Sequence, residues 1–382
     1  MTKIADILFG CELREGELAE FPALLTSRFP FGKFLVLTDE ESALALGNAL
    51  KKIPKKILLV LARGDDLLPL FGLPDGITCV VGAGGAAAAA RYFAAARSLP
   101  FVGACLSCAP QGLLRGRVTV RVGKSETTYP VPPPDFVFAA LSAMQTDERG
   151  MARAACFLSA CALSGFSFRA SRRLSLPCAA AQNDLEGYFS AAPELAFSVD
   201  SSDRRRAAET IFRAVSAAEY CFRSGFPEGE IFRLIEAAKE LVGGIKGERE
   251  ENELAFSCVL SLLKLYALFF ESGFYRGGKV DYNARFGEAA ALAEGTRLSV
   301  KEIFVPPVEQ LTKCAEKFAD LQAELCREAC ALEEKIKAFC ADFGLLPSDE
   351  GRDKLSRSLF LLPEFSVDTY GIVSLMRDFS LL

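Results

Sequence analysis

Histidine is absent from all 382 residues, and that absence removes a large share of hydrolase chemistry. Without imidazole there is no Ser-His-Asp or Cys-His nucleophile system, no HExxH metalloprotease, no Cys2His2 finger and no His-ligated metal. There is no surplus of positive charge either. The 44 Lys and Arg against 49 Asp and Glu leave a net charge of −5, which argues against nucleic acid or an anionic membrane as a partner. The first residues, MTKIADILFG, have one Lys and an apolar run too short for a secretion signal. The longest apolar stretch, 254–270, is interrupted by Ser257, Ser261 and Lys264 and is short for a span needing about 20 residues. No membrane segment and a cytoplasmic location are the expectation.

What remains is globular composition, 51% hydrophobic and 24% charged, which excludes general disorder. The length suits two domains of roughly 150 residues or more. Thirteen cysteines in a chain without a secretion signal read as reduced, small apolar fillers.

From Lys33 to Pro134 short β-rich runs alternate with helical ones, the pattern of βαβ units and a parallel sheet. KFLVLT (33–38), KKILLVLA (55–62), GITCVVG (76–82) and LPFVGAC (99–105) are predicted strands, with helices over 41–50 and 86–97. VTVRVG and SETTYPV, around Gly123 and Lys124, read as a hairpin, followed by Pro132 to Pro134. After about Thr146 strand signals disappear. Asp203 is placed to cap a helix carrying Ile211, Phe212, Val215, Ala218 and Phe222 on one face and stopping at Gly225. The segment 254–270 is apolar nearly all round and is predicted to be a central helix. From Val308 to Asp342 there is no Gly or Pro, and Leu311, Phe318, Leu325, Leu332 and Phe339 recur every seven residues. Such a stripe packs within a domain or against a second subunit. The implied division is an α/β domain over 1–145 and an all-helical domain over 146–382.

VVGAGGAAAAAR, 80–91, places Gly82, Gly84 and Gly85 between a buried strand and a helix start. Glycines there let backbone N–H groups approach a pyrophosphate at the positive end of the helix dipole, although such turns also occur for structural reasons alone. In order, LREGELAEFPALL, KFLVLTDEES, CVVGAGGAAAAARYFAAARSLPFVGACLS, a hairpin, PPPDFVFAAL and an all-helical half resemble the sn-glycerol-1-phosphate dehydrogenases. These belong to the iron-containing alcohol dehydrogenase and dehydroquinate synthase-like superfamily. The family shows a "GEGAL" start, a "VTD" strand end, a "GGGxxxDxAK" turn and helix, a "PFxxxPTAAS" strand and loop, and a helix before a terminal "GLL", which DTYGIVSLMRDFSLL resembles. The resemblance implies a Rossmann-like parallel sheet with a hairpin, an all-α second domain, and a nucleotide or small molecule in the cleft between them. It places Asp39 at the ribose, favouring NAD over NADP, and the glycine turn at the pyrophosphate. Cys105 and Ser107, in the loop that is "TAAS" in relatives, complete the candidate cofactor contacts.

The family's chemistry requires an Asp and two His around a divalent metal that polarises the substrate hydroxyl. The helix expected to supply the Asp, GMARAACFLSACALSG (150–165), contains no carboxylate. The "HGExV" helix corresponds to Arg285-Phe286-Gly287-Glu288-Ala289, with Phe286 in the metal position, and "GSEHxxSH" to ENELAFSC (251–258). The Asp and Lys of "GGGxxxDxAK" fall near Ala88 and Arg91, and the substrate-loop acid near Pro110 or Gln111. The resemblance therefore implies a degenerate homologue that binds nucleotide without a metal and without hydride transfer, its catalytic residues unassigned. Two alternatives stay open: an active NAD(P)-dependent glycerol-phosphate or polyol dehydrogenase with a non-histidine metal site, using Cys156, Cys161 or Cys258, and a thiol-redox protein using the C-x-x-C of Cys105 and Cys108. Small residues filling a tight loop are the favoured reading of that C-x-x-C.

Cys326 and Cys330 lie one helical turn apart, but two ligands make no closed metal site; with Cys314 and Cys340 they suit a helical seam. Arg204 to Arg206 and the alternating Arg115, Arg117 and Arg121 could meet anions or simply be solvated faces. A homo-oligomer is also open.

Overall fold

The computed structural model describes residues 12–53, 57–62, 66–67, 70, 72–73, 75–109, 113–123, 125–176, 183–226, 229–242, 247–272, 281–294, 296, 298, 300, 308–347 and 371–378. The chain forms two compact units, one of residues 1–154 and 198–225 and the other of residues 155–197 and 226–382.

Unit 1 is built on six parallel strands: β1 (Glu12–Gly16), β2 (Phe34–Thr38), β3 (Ile57–Leu61), β4 (Cys79–Ala83), β5 (Phe101–Cys105) and β8 (Phe136–Ala140). Their order is β1-β8-β5-β4-β2-β3. Strands β2, β4, β5 and β8 are buried along their whole length, as expected of apolar runs inside a parallel sheet. On the way lie α1 (Phe21–Arg28), α2 (Glu40–Leu50), α3 (Ala87–Ala96) and the short α4 (Leu141–Met144). Leu25, Val36, Leu46, Val81, Val102 and Phe138 contribute to one core. β6 (Arg117–Val122) and β7 (Ser125–Pro130) make the antiparallel hairpin. Strand β1 carries Glu and Arg in place of an apolar run, and its pairing with β8 was not legible in the sequence.

The expected boundary at 145/146 places α7 (Arg204–Arg223) with the helical half, whereas it clusters with the sheet unit. Ionic contacts account for the difference. Arg213 donates to both oxygens of Glu15 on β1, at 2.8 and 2.6 Å, and Arg115 donates to both oxygens of the buried Glu219. As predicted, Asp203 caps α7 through the Arg206 N–H, and Gly225 follows its end with a positive φ of 97°.

Helix α5 (Glu148–Arg173) runs from unit 1 into unit 2. The described part of unit 2 is otherwise α6 (Asn183–Phe197), α8 (Gly229–Val242), α9 (Glu248–Ser272), α10 (Tyr282–Ala293), α11 (Val308–Asp342) and α12 (Ile372–Asp378). The stripe on α11 packs within the unit: Phe318 lies 5.0 Å from Phe269 of α9, and Phe339 lies 5.1 Å from Phe197 of α6, centroid to centroid. Glu148–Arg173 and Arg249–Ser272 are long and apolar enough to cross a membrane, but 72% and 67% of their most apolar windows are buried inside the protein. That is the behaviour of core helices.

Candidate functional site

In the sheet of unit 1, β2 connects onward to β3 on one side while β4 returns to pair with β2 on the other. The carboxyl ends of β2 and β4 therefore flank the point where strand order reverses, where open α/β sheets bind ligands. Asp39 follows β2, and Gly84 and Gly85 follow β4.

The structure brings these three residues together. Oδ1 of Asp39 accepts the Ser42 N–H at 2.8 Å and so caps α2. Oδ2 accepts the Gly85 N–H at 2.6 Å. Gly84 adopts a φ of +56°, and a Cβ there would stand 2.1 Å from Oδ2 of Asp39 and 2.7 Å from the Ser42 hydroxyl. Only glycine permits both the backbone conformation and this approach. Gly82, still within β4, has a different reason to be small: its Cβ would meet Ala90 and Phe101 at 2.9 Å, so it lets α3 close on the sheet. The sequence groups all three glycines at a phosphate; in the structure Gly84 and Gly85 shape the turn against Asp39, and Gly82 packs against α3.

Cys105 ends β5 and is 3% exposed, and Cys108 is fully buried, with its thiol directed at the Ala208 carbonyl, 3.6 Å away. Burial, with the nearby Asp147 carboxylate, pushes the Cys108 thiol far up. None of the eleven described cysteines is in a disulfide. A redox pair needs an accessible thiol of low pKa, and the Cys108 environment is the reverse. Ser107 is half-buried, and its hydroxyl accepts the Ala109 N–H at 3.3 Å. Gly150 of α5 lies against it: a Cβ there would be 2.1 Å from the Ser107 hydroxyl.

Arg91 is fully buried. Its guanidinium donates to the Pro132 carbonyl from Nε and Nη2, at 3.1 and 2.7 Å, and to the Arg115 carbonyl from Nη1. It therefore clasps the base of the hairpin. Arg115 is committed to Glu219 and lies 5.7 Å from the centroid of the Phe222 ring, whereas Arg117 is exposed. Arg205 pairs with Glu17 at 2.9 Å on an exposed face. Pro110 and Gln111 lie outside the described residues.

In unit 2 the three segments aligned with metal ligands do other work. Phe286 is 43% exposed on α10, and only Ala289 of the Arg285–Ala289 motif is buried. Glu251 accepts from the Lys239 ammonium at 2.8 Å, and Glu253 from Arg249 at 2.9 Å. Cys156 directs its thiol at the Asn252 carbonyl, 3.6 Å away. Burial, aided by Cys156, pushes the Cys258 thiol up to about 12. Among the described residues no three His, Cys, Asp or Glu side chains are grouped to hold a metal ion.

One feature of unit 2 had no signal in the sequence. Glu230, the second residue of α8, is buried, and burial pushes its carboxyl up to about 7. Tyr266 donates to the Ser167 hydroxyl at 3.1 Å, and Ser167 donates to Glu230 at 3.1 Å. The Val373 N–H at the start of α12 points to the same carboxylate oxygen at 3.4 Å. A Cβ on Gly371 would stand 2.3 Å from that carboxylate.

No family model matches the sequence, and no curated protein matches it. Solved structures do. A probable glycerol dehydrogenase from Sinorhizobium meliloti 1021 superposes with a TM-score of 0.50 at 16% identity, over 87% of this chain and 96% of that one. An iron-containing alcohol dehydrogenase from Corynebacterium glutamicum gives 0.50 at 11% identity, over 90% and 97%. A sulfoacetaldehyde reductase from Bifidobacterium kashiwanohense, solved in complex with NAD+, gives 0.52 at 11% identity, over 94% and 98%. At these identities the likeness speaks for architecture: the chain has the dehydroquinate synthase-like fold shared by glycerol dehydrogenases and iron-containing alcohol dehydrogenases.

Proposed function

We propose that unit 1 binds NAD at the reversal between β2 and β4, and that the chain does not carry out metal-assisted hydride transfer. The observation that carries the first half is the meeting of Asp39 with the Gly84–Gly85 turn. A carboxylate offers about four acceptor positions. Asp39 gives one to Ser42 and one to Gly85, leaving two for the hydroxyl pair of an adenosine ribose. Both bonds also fix its orientation. A 2′-phosphate would meet that fixed negative charge, so NAD is preferred over NADP. The turn opens α3, whose positive end favours the pyrophosphate. Because the Gly85 N–H already serves Asp39, the turn carries a resident negative charge, and binding is weak.

NAD, when bound, supplies a hydride acceptor. A carbinol gives up hydride only as its hydroxyl loses a proton, and a metal ordinarily stabilises the developing alkoxide by several kcal/mol. The donor set does not fit such a metal: the chain has no histidine, Phe286 offers no lone pair, and the acids of 251–253 are paired with Lys239 and Arg249. The three structural neighbours named above are dehydrogenases or reductases, and this chain is read as a degenerate relative of that chemistry.

Calorimetric titration tests the binding half. Wild type is expected to bind NAD weakly and NADP no better, and Asp39→Ala to lose about tenfold or more, the effect of hydrogen bonds to a charged group. An Asp39→Ala variant that binds like wild type, or a wild type that binds neither, overturns it. Turnover of glycerol-1-phosphate with NAD(P) and added zinc, iron or nickel would overturn the other half.

A further inference from the structure

The described cysteines fall into two groups. Nine of the eleven are buried, Cys314 and Cys340 of α11 among them, as a helical seam requires. Cys326 and Cys330, on the same helix, are not: Cys326 is half-buried and Cys330 is exposed. They stand one turn apart, and their thiols share a hydrogen bond.

The pair is held on a fixed support. It lies between Phe318, which packs on Phe269 of α9, and Phe339, which packs on Phe197 of α6. Leu325 and Ala329, the residues just before each cysteine, are buried. The Cys326 thiol is also directed at the Ala267 carbonyl of α9, 3.7 Å away, and one turn earlier Gln322 donates to the Glu271 carbonyl at 3.1 Å.

Distance and donor count narrow what two such thiols can do. Side chains four apart on a helix have Cβ atoms about 5–6 Å apart, whereas a disulfide needs about 3.5–4.5 Å, so joining the two sulfurs directly would unwind the helix. Burial, Cys330 and Glu271 raise the Cys326 thiol, the opposite of an activated redox thiolate. Two sulfurs bridged by one metal atom, each bond about 2.3 Å long, span the gap with the helix intact. Among the described residues no group of three His, Cys, Asp or Glu is placed to hold a metal ion, so zinc, which takes four ligands, finds no closed site here. A soft monovalent cation is satisfied by two thiolates, and thiolates select copper(I).

We propose that Cys326 and Cys330 form a two-coordinate site for a soft monovalent cation, copper(I), on the surface of unit 2. Each thiol releases its proton to solvent as its sulfur–copper bond forms, and no electron is transferred. The site does not depend on the NAD reading of unit 1.

Competition with the coloured chelator bicinchoninate, under anaerobic conditions with a phosphine reductant, is the test. Wild type is expected to withdraw copper(I) from the chelator and, by X-ray absorption, to hold it through two sulfurs. Cys330→Ser and Cys326→Ser are each expected to lose on the order of a hundredfold in affinity, since even a ligand's supporting partner is worth about ten- to a hundredfold. Zinc offered from a coloured chelator is expected to stay there. A wild type that withdraws no copper(I) overturns the proposal, as does a double variant, Cys326→Ser with Cys330→Ser, that withdraws as much as wild type. Zinc held as tightly as copper(I) overturns the two-coordinate assignment. Far-UV circular dichroism verifies folding; if Cys326→Ser fails to fold, the exposed Cys330→Ser decides alone, and wild-type affinity in that variant overturns the pair.

Discussion

The glycine turn of unit 1 and the helical segments of unit 2 that align with metal ligands differ in what their chemistry depends on. In the turn the groups that matter are backbone N–H donors and one carboxylate, placed by a φ of +56° at Gly84 and a hydrogen bond of 2.6 Å. In unit 2 they would have to be side chains, and at those positions stand Phe286, buried cysteines and acids committed to ion pairs. Backbone sites follow from the fold, because a strand-turn-helix presents the same amides whatever its side chains. A metal site vanishes with its donors. On the proposed reading, the chain keeps the scaffold for a dinucleotide and lacks the means to activate an alcohol.

The strongest challenge to that contrast is a change at Gly84. Valine there would force a branched side chain into positive φ and drive a Cβ to within 2.1 Å of Asp39. A loss on the order of 3 kcal/mol is expected, seen as a lower unfolding midpoint together with loss of NAD binding. Unchanged stability would mean that the turn is held less tightly than its geometry indicates.

Unit 2 is tested through Glu230, whose carboxyl is raised from 4.5 to about 7 mainly by burial. The folded state holds its proton more tightly than the unfolded chain does. Its contribution is therefore full below pH 4.5 and is lost as pH rises through about 7, on the order of 3 kcal/mol across that window. Among the described residues Tyr266 and Arg377 are the charged or titratable groups acting on it; both oppose the rise, and burial holds the Tyr266 hydroxyl well above its usual range. Denaturant unfolding should show wild type less stable at pH 8 than at pH 5. Glu230→Gln should abolish most of that difference. A flat profile in wild type would show that the carboxylate is ionised and compensated throughout.

Much of unit 1 was legible because its signals are local. Buried parallel strands are continuous apolar runs, Asp203 announces a helix start, and glycines after a strand announce a turn. Strand β1 was hidden, since ELREG has no apolar alternation and is a strand only by virtue of β8 beside it. The membership of α7 was hidden too, because it rests on pairs such as Arg213 with Glu15, nearly two hundred residues apart. Asp39 was found through the fold's strand-end pattern, but not its bond to Gly85, which depends on β2 and β4 being neighbours. Glu230 left no trace, for nothing in GEIFRL distinguishes a buried carboxylate from an exposed one at a helix start.

The smallest effect is expected at Phe286, where the family pattern has a metal ligand. The side chain is 43% exposed, and the flanking Arg285, Gly287 and Glu288 are half-buried or exposed. Replacing a half-exposed surface residue usually changes stability by less than about 0.5 kcal/mol, so Phe286→His should leave the unfolding midpoint nearly unmoved. It should also bind no stoichiometric zinc. One imidazole is a single ligand, catalytic zinc needs three from the protein, and among the described residues no acid or thiol cluster waits to supply the others. Metal analysis after dialysis measures this directly. Tight zinc retention by Phe286→His, with none in wild type, would mean that two further donors converge on this helix, and the contrast between the two units would then come down to one substituted residue.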